Sequence, residues 1–256
     1  MKTVVCIKWG PKFSADYVNK LRNMVRRNLS LEHQFVCLTD DATGLNEGIE
    51  VRPLVENLEH SYTKLGLFAN ELHDLTGQIL FLDLDVVIIN PIAELFQFEP
   101  EAEFVSINDR FGRPDAYNGT DITLEGVVSD TDNDTINASC MRFEVGRYPY
   151  ILENWYEAVA TRFSKSEIVD SALKGRDLPV KYMYHDLVSF PPEVYRGDQK
   201  WTTKQLKEHN ETITFYPTSW LQSYKYGYDM AAKVIVFHGL PKPADVTDVW
   251  VKENWC

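Results

Sequence analysis

Two aspartates, Asp83 and Asp85, stand one residue apart inside an otherwise apolar run, Ile79-Leu80-Phe81-Leu82-Asp83-Leu84-Asp85-Val86-Val87-Ile88-Ile89. Apolar residues on both sides of the pair imply a strand covered on both faces. An ionised carboxylate in such a strand costs on the order of several kcal/mol unless something compensates it. In an extended chain residues i and i+2 project to one side, so the two carboxylates are expected to converge. One divalent cation relieves both their repulsion and their burial, and oxygen donors favour Mg²⁺ or Mn²⁺. The competing reading is an edge strand whose solvent side carries two aspartates. That reading requires polar alternation along the rest of the run, and there is none.

A second apolar run, Val234 to Phe237, ends in His238-Gly239-Leu240-Pro241-Lys242-Pro243. A histidine at the mouth of a buried strand is placed to be a third metal ligand, or is simply a satisfied core or surface histidine. Gly239 lets backbone approach a ligand closely. Pro241 and Pro243 restrict the loop that holds Lys242, whose mobile ammonium suits a phosphate group.

These residues need a scaffold, and the hydrophobic pattern supplies one. Strands are expected at Thr3 to Lys8, Gln34 to Thr39, Ile49 to Arg52, Gln78 through the aspartate pair to Ile89, and Phe104 to Ile107. A helix from about Ser14 has Tyr17, Val18, Leu21, Met24 and Val25 at helical spacing. A second helix capped by Ser61 has Leu65, Phe68, Ala69 and Leu72 on one face. Residues 109–136, rich in Asp, Thr, Asn and Gly, are expected to form an insertion or lid. A strand at Ala138 to Phe143, a helix at Tyr150 to Phe163, an irregular aromatic stretch to Pro192 and a helix at Asp198 to His209 follow. Ile213 to Tyr216 and Lys233 to His238 are expected to close the sheet. Strands and helices in alternation imply an α/β class protein, one domain spanning 1–256, with a mainly parallel sheet. Ligands bind such sheets beyond the carboxyl ends of the strands.

With the pair and the second motif in hand, the sequence resembles glycosyltransferases of the GT-A fold, in particular the glycogenin and bacterial lipopolysaccharide-glycosyltransferase group. FLDLDVVI is similar to the DxD strand of that group, and HGLPKP to its C-terminal histidine-glycine and lysine-proline motif. The resemblance implies a GT-A-like nucleotide-diphospho-sugar transferase fold, a single Rossmann-like α/β/α sandwich. It divides the chain into a nucleotide-binding half (1–108), the insertion, and an acceptor-side half (137–256). It implies that Asp83 reaches the donor ribose and the metal, that Asp85 and His238 ligate the metal, and that Lys242 binds the diphosphate; Leu84 and Gly239 are further donor-binding candidates. Ile7 and Lys8, ending the first strand, correspond to residues against the base. Thr39 and Asp40 either lie near the base or form a turn or helix cap. Lys64 lies near the donor phosphates or is merely exposed. Asn137-Ala138-Ser139 is similar to the segment facing the donor sugar, although Ser139-Cys140 departs from the small residues usual there. Gly197-Asp198-Gln199 resembles the aspartate-glutamine motif beside the reacting carbon, which assigns Asp198 and Gln199 catalytic roles; Asp198 is equally suited to an N-cap. Ser223 to Tyr226 are candidates for the acceptor side.

The reaction this implies is transfer of a sugar, most simply from a UDP-sugar, to a hydroxyl acceptor such as a glycan. Family likeness favours retention; inversion would require a carboxylate base, with Asp198 and Asp186 as candidates. Haloacid-dehalogenase-like phosphatases also carry a hydrophobic DxD strand, but theirs opens the domain, whereas two strand–helix units precede this one. A non-catalytic nucleotide- or metal-binding module is a further alternative. A nucleotidyltransferase fits less well, for the turn after the first strand lacks a Gly-rich basic loop.

A formal net charge of −12 argues against a nucleic-acid or anionic-membrane partner, which would need a clustered cationic face. No run approaches the ~20 apolar residues of a membrane helix. The first residues do not read as a secretory leader, and Cys6, Cys37, Cys140 and Cys256 have neither paired nor metal-knuckle spacing. A reduced, cytoplasmic protein is therefore expected. The oligomeric state leaves no mark on the sequence.

Overall fold

Apolar strands flank the aspartate pair on both sides, but they belong to two different sheets. The computed structural model describes residues 2–56, 58–111, 135–163 and 197–256. Most of the expected lid, and the aromatic stretch containing Asp186, lie outside these residues. The strands are β1 (Lys2–Lys8), β2 (His33–Thr39), β3 (Glu50–Arg52), β4 (Gln78–Leu82), β5 (Val86–Ile88), β6 (Phe104–Asn108), β7 (Ile136–Glu144), β8 (Ile213–Phe215), β9 (Leu221–Ser223) and β10 (Val234–Val236). The helices are α1 (Ala15–Asn28), α2 (Ala93–Gln97), α3 (Pro149–Phe163), α4 (Gly197–Glu208) and α5 (Val249–Asn254), with a 3₁₀ segment at His60–Phe68.

The central sheet has seven strands in the order β3-β2-β1-β4-β7-β6-β8, and β5-β10-β9 form a second, smaller sheet. In the central sheet β7 alone runs against its neighbours, pairing antiparallel with both β4 and β6. The other pairings, β3 with β2, β2 with β1, β1 with β4 and β6 with β8, are parallel. The sheet is therefore mainly parallel, as expected. The chain builds outward from β1 through β2 to β3, then returns to lay β4 on β1's other side. That reversal opens a crevice at the carboxyl ends of β1 and β4, the usual place for a ligand in such a sheet.

Period-two alternation sorts the strand side chains between two cores. Val4, Cys6, Leu80 and Leu82 face a core shared with α1, α5 and the small sheet. Val5, Ile79 and Phe81 face the opposite core with the 3₁₀ segment, α3 and α4. The result is a three-layer α/β/α arrangement with apolar groups buried on both sides of the sheet. Helix α1 buries Val18, Leu21, Met24 and Val25, the stripe its spacing predicts. Ser14 is its N-cap residue, though its side chain makes no capping hydrogen bond.

Three local expectations are corrected. The segment after Ser61 is a 3₁₀ helix that ends at Phe68, so Leu72 lies beyond it, although Leu65, Phe68 and Leu72 are all buried as the spacing requires. The strand through the aspartates is broken: β4 ends at Leu82 and β5 begins at Val86. The run Lys233 to His238 closes the small sheet, pairing β10 antiparallel with β5, rather than the central one. A wholly buried arginine, Arg142 on β7, binds the chain leaving α2. Its guanidinium donates to the carbonyls of Leu95, Phe96, Phe98, Glu99 and Ala102, so backbone oxygens compensate its charge in place of a carboxylate.

Candidate active site

Asp83-Leu84-Asp85 is the turn by which the chain steps from the central sheet to the small one. Asp83 N donates to Ser139 O at 2.9 Å, extending the β4–β7 ladder one step. Asp85 O accepts from Phe237 N at 3.0 Å, which ties the other end of the turn to β10. Both backbone ends are thus fixed, and the turn opens a cleft of about 250 Å³ beside β1. Ile7, Trp9, Lys12, Phe13, Ser61 and Lys64 line this cleft with Asp83, Leu84 and Asp85. The two carboxylates do share one cavity, but a turn held between two sheets brings them there, not strand alternation.

Each carboxylate has its own lysine. Asp83 continues the parity of Ile79 and Phe81, so it faces the 3₁₀ segment, where Lys64 Nζ lies 2.8 Å from both of its oxygens. The same ammonium is 3.4 Å from Ala138 O and 3.9 Å from an oxygen of Asp198. Burial pulls the Lys64 pKa down, but Asp83 and then Asp198 outweigh it and hold the value above the ordinary lysine range. Asp85 is bonded by Lys242 Nζ, which also donates to Phe237 O at 3.2 Å. Burial and then the neighbouring Asp83 raise the Asp85 pKa, while Lys242 opposes them.

Asp198 sits in the first turn of α4, 5% exposed, with Oδ2 lacking a hydrogen-bond partner. Burial raises its pKa against the pull of Lys64, and Ser61 hydrogen-bonds its other side. Gln199 lies one step behind: its Oε1 accepts from Ala138 N at 3.1 Å and its Nε2 donates to Asp109 Oδ1 at 3.5 Å. Asn137 Nδ2 donates to the same Asp109 oxygen at 3.0 Å. The start of β7 is thereby clamped between Gln199 and Lys64.

The third expected metal ligand is turned elsewhere. His238 follows the residue that bonds Asp85, yet its Nε2 lies 2.7 Å from Ser223 Oγ and its ring packs between Phe111 and Tyr226. Burial, then Lys225, lowers its pKa, with Asp109 opposing. Among the described residues no three of His, Cys, Asp and Glu are gathered to hold a metal ion. Asp83 and Asp85 offer oxygen donors of the kind a hard cation takes, both lining the cleft, one of them 8% exposed. His238 Nε2 is engaged with Ser223 instead.

The remaining expected residues divide. Ile7, Leu84 and Lys64 line the cleft. Gly239 adopts φ +68°, a left-handed conformation that glycine accepts without strain, and so turns the chain toward Lys242. Lys8, Thr39 and Asp40 instead lock the turns after β1 and β2. Lys8 Nζ donates to Asp41 O, Thr39 Oγ1 to the same oxygen, and Asp40 accepts from Gly10 N. Trp9, Phe13 and Asp109 were not singled out as site residues from sequence, and Ser61 was expected there only as a helix cap. For Trp9 and Phe13 the available signal was two aromatics directly after the first strand.

No protein-family model matches the sequence, and no curated protein matches it. Solved structures do. The WbbM bifunctional glycosyltransferase superposes with a TM-score of 0.61 at 15% identity; the match covers 98% of this chain and 49% of WbbM, so the chain spans about half that protein's length. An active-site mutant of LgtC gives 0.55 at 14% identity over 98% of this chain and 93% of LgtC. The glycosyltransferase GlyE of Streptococcus pneumoniae TIGR4 gives 0.60 at 10% identity over 100% of this chain and 62% of GlyE. Strand order, the carboxyl-edge cleft and these superpositions agree: the chain has the GT-A-like α/β fold of these glycosyltransferases.

Proposed function

We propose that the protein is a divalent-cation-dependent glycosyltransferase that moves a sugar from a nucleoside-diphosphate donor, UDP-linked, to a hydroxyl group of a glycan. The observation that carries this reading is the pair of lysine-bound aspartates in a cleft at the carboxyl ends of β1 and β4. A sugar-nucleotide donor presents an aromatic base, a diphosphate and a pyranose. Trp9 and Phe13 offer faces for the base, and the charged turn lies beside them. Asp83 and Asp85 would hold Mn²⁺ or Mg²⁺, which supplies positive charge to the departing diphosphate. Lys242 and Lys64 add ammonium charge at the same place.

Asp198 and Gln199 belong to the reacting side of the cleft. Lys64 links Asp198 to Asp83, so the nucleotide end and α4 keep a fixed relation. Retention is the proposed outcome, with Asp198 and Gln199 stabilising positive charge at the anomeric carbon. Inversion would instead call on Asp198 as base toward the acceptor hydroxyl. The phosphatase alternative gains no support from the structure. Calorimetry with Mn²⁺ and a panel of UDP- and GDP-sugars tests the proposal. Binding that requires Mn²⁺ and disappears in Asp85→Ala is expected; equal binding in EDTA would overturn it.

A further inference from the structure

In the structure the charge of the aspartate pair is already neutralised, one ammonium for each carboxylate. Lys64 bridges both oxygens of Asp83, and Lys242 bonds Asp85. All four side chains are largely withdrawn from water: 16% exposed for Lys64, 20% for Asp83, 14% for Lys242 and 12% for Asp85. A divalent cation arriving alone would therefore meet two carboxylates already paired in a poorly hydrated cluster, and two ammonium groups that repel it. Each lysine has a second acceptor within reach. For Lys64 these are Asp198 and Ala138 O; for Lys242 it is Phe237 O. The Lys242 ammonium also stands 5.7 Å from the centre of the Phe13 ring, and its backbone N–H donates to Asp245.

We propose, resting on the reading above, that Lys64 and Lys242 are exchangeable counter-ions for the aspartate pair, and that this exchange couples cation binding to diphosphate binding. Before ligands arrive, the lysines occupy the carboxylates. When cation and diphosphate enter together, the cation takes the carboxylates and the ammonium groups transfer to phosphate oxygens, so every charge keeps a partner. The cation alone binds weakly, because displaced lysines gain no new anion. The diphosphate alone binds weakly, because the lysines are held by the aspartates. By linkage each ligand strengthens the other by the same factor, in the usual range of about 5- to 150-fold.

Free Mn²⁺, counted from its electron paramagnetic resonance signal, measures this without turnover. Wild-type protein is titrated with Mn²⁺ alone and with saturating UDP, alongside Lys242→Met and Lys242→Arg. Wild type is expected to bind Mn²⁺ at least about fivefold more tightly with UDP than without. Lys242→Met, with one competitor removed, is expected to bind Mn²⁺ alone more tightly than wild type and to lose most of the UDP effect. Lys242→Arg keeps the charge and should stay near wild type. Exchange is overturned if UDP leaves the wild-type Mn²⁺ affinity unchanged, or if Lys242→Met binds Mn²⁺ alone no better. Equal tightening in the Met and Arg variants would also overturn it, since loop disturbance would then be the cause. If neither Mn²⁺ nor UDP binds under any condition, the glycosyltransferase reading itself fails. Tight, uncoupled binding of both would leave that reading intact and sink only the exchange.

Discussion

Replacing Lys64 with Met tests whether the cleft is held together by its charges. The thioether keeps most of the stem that lies over Phe81, where the ammonium stands 5.5 Å from the ring centre, and removes only the charge. Asp83 then loses both of its 2.8 Å contacts, and Asp198, 5% exposed, loses the nearest cation. Breaking a buried pair from one side costs about 3–5 kcal/mol, because the partner charge stays behind. Asp83 retains some solvent contact, so the lower end, about 3 kcal/mol, is expected. At roughly 2–4 °C per kcal/mol for a chain of this size, the melting temperature should fall by roughly 6–12 °C. Urea unfolding followed by circular dichroism supplies the free energy. A cycle with Asp83→Asn and the double variant isolates the coupling, which should be at least about 1 kcal/mol. Strict additivity, or a single-variant loss below about 1 kcal/mol, would refute the claim that Lys64 compensates Asp83.

Arg142→Met should destabilise the fold by about 3 kcal/mol or more in the same assay, because the carbonyls of Phe96, Phe98, Glu99 and Ala102 lose the guanidinium that donates to them. Gly239→Ala is forced into left-handed backbone at φ +68°, with its new Cβ 2.7 Å from Lys225 Nζ. The flexible lysine can move away but the backbone strain stays, so a loss of about 1–2 kcal/mol and weaker UDP binding are expected. The Tyr156 hydroxyl donates to Glu56 O at 2.6 Å, and burial, then Glu56, pushes its pKa up to about 12. The unfolded chain releases this proton near pH ~10, so the stability it contributes is complete below that pH and is lost as pH rises through 12. Tyr156→Phe should flatten part of the alkaline limb of a stability–pH curve. Trp9→Ala should weaken UDP binding by about 1–3 kcal/mol, the usual worth of a base stacked on an aromatic side chain.

Much of the fold was legible because burial writes itself into apolar spacing. The β1 and β2 runs, the α1 stripe of Val18, Leu21, Met24 and Val25, and the boundaries of α4 fall within a residue or two of expectation. The break at the aspartates was not legible. Val86 to Ile88 is as apolar as Ile79 to Leu82, and periodicity cannot tell a strand that continues from one that leaves for another sheet. Nor does order along the chain reveal that β7 inserts antiparallel between β4 and β6, carrying Ala138 to Lys64 and Gln199.

The site divides in the same way. By itself the sequence determined that Asp83 and Asp85 are special, because two carboxylates in an apolar run demand compensation wherever the run is buried. Only the tertiary structure decided what compensates them. Lys64 is 19 residues from Asp83 and Lys242 is 157 from Asp85, and although both stood out as candidates at the donor phosphates, nothing along the chain pairs either with an aspartate. His238, whose motif pointed to the metal, has its Nε2 at Ser223 Oγ and its ring against Phe111 and Tyr226. The need for a counter-charge is a property of composition and burial, which a chain carries along its length. The identity of the counter-charge depends on distance through space, and folding sets that distance.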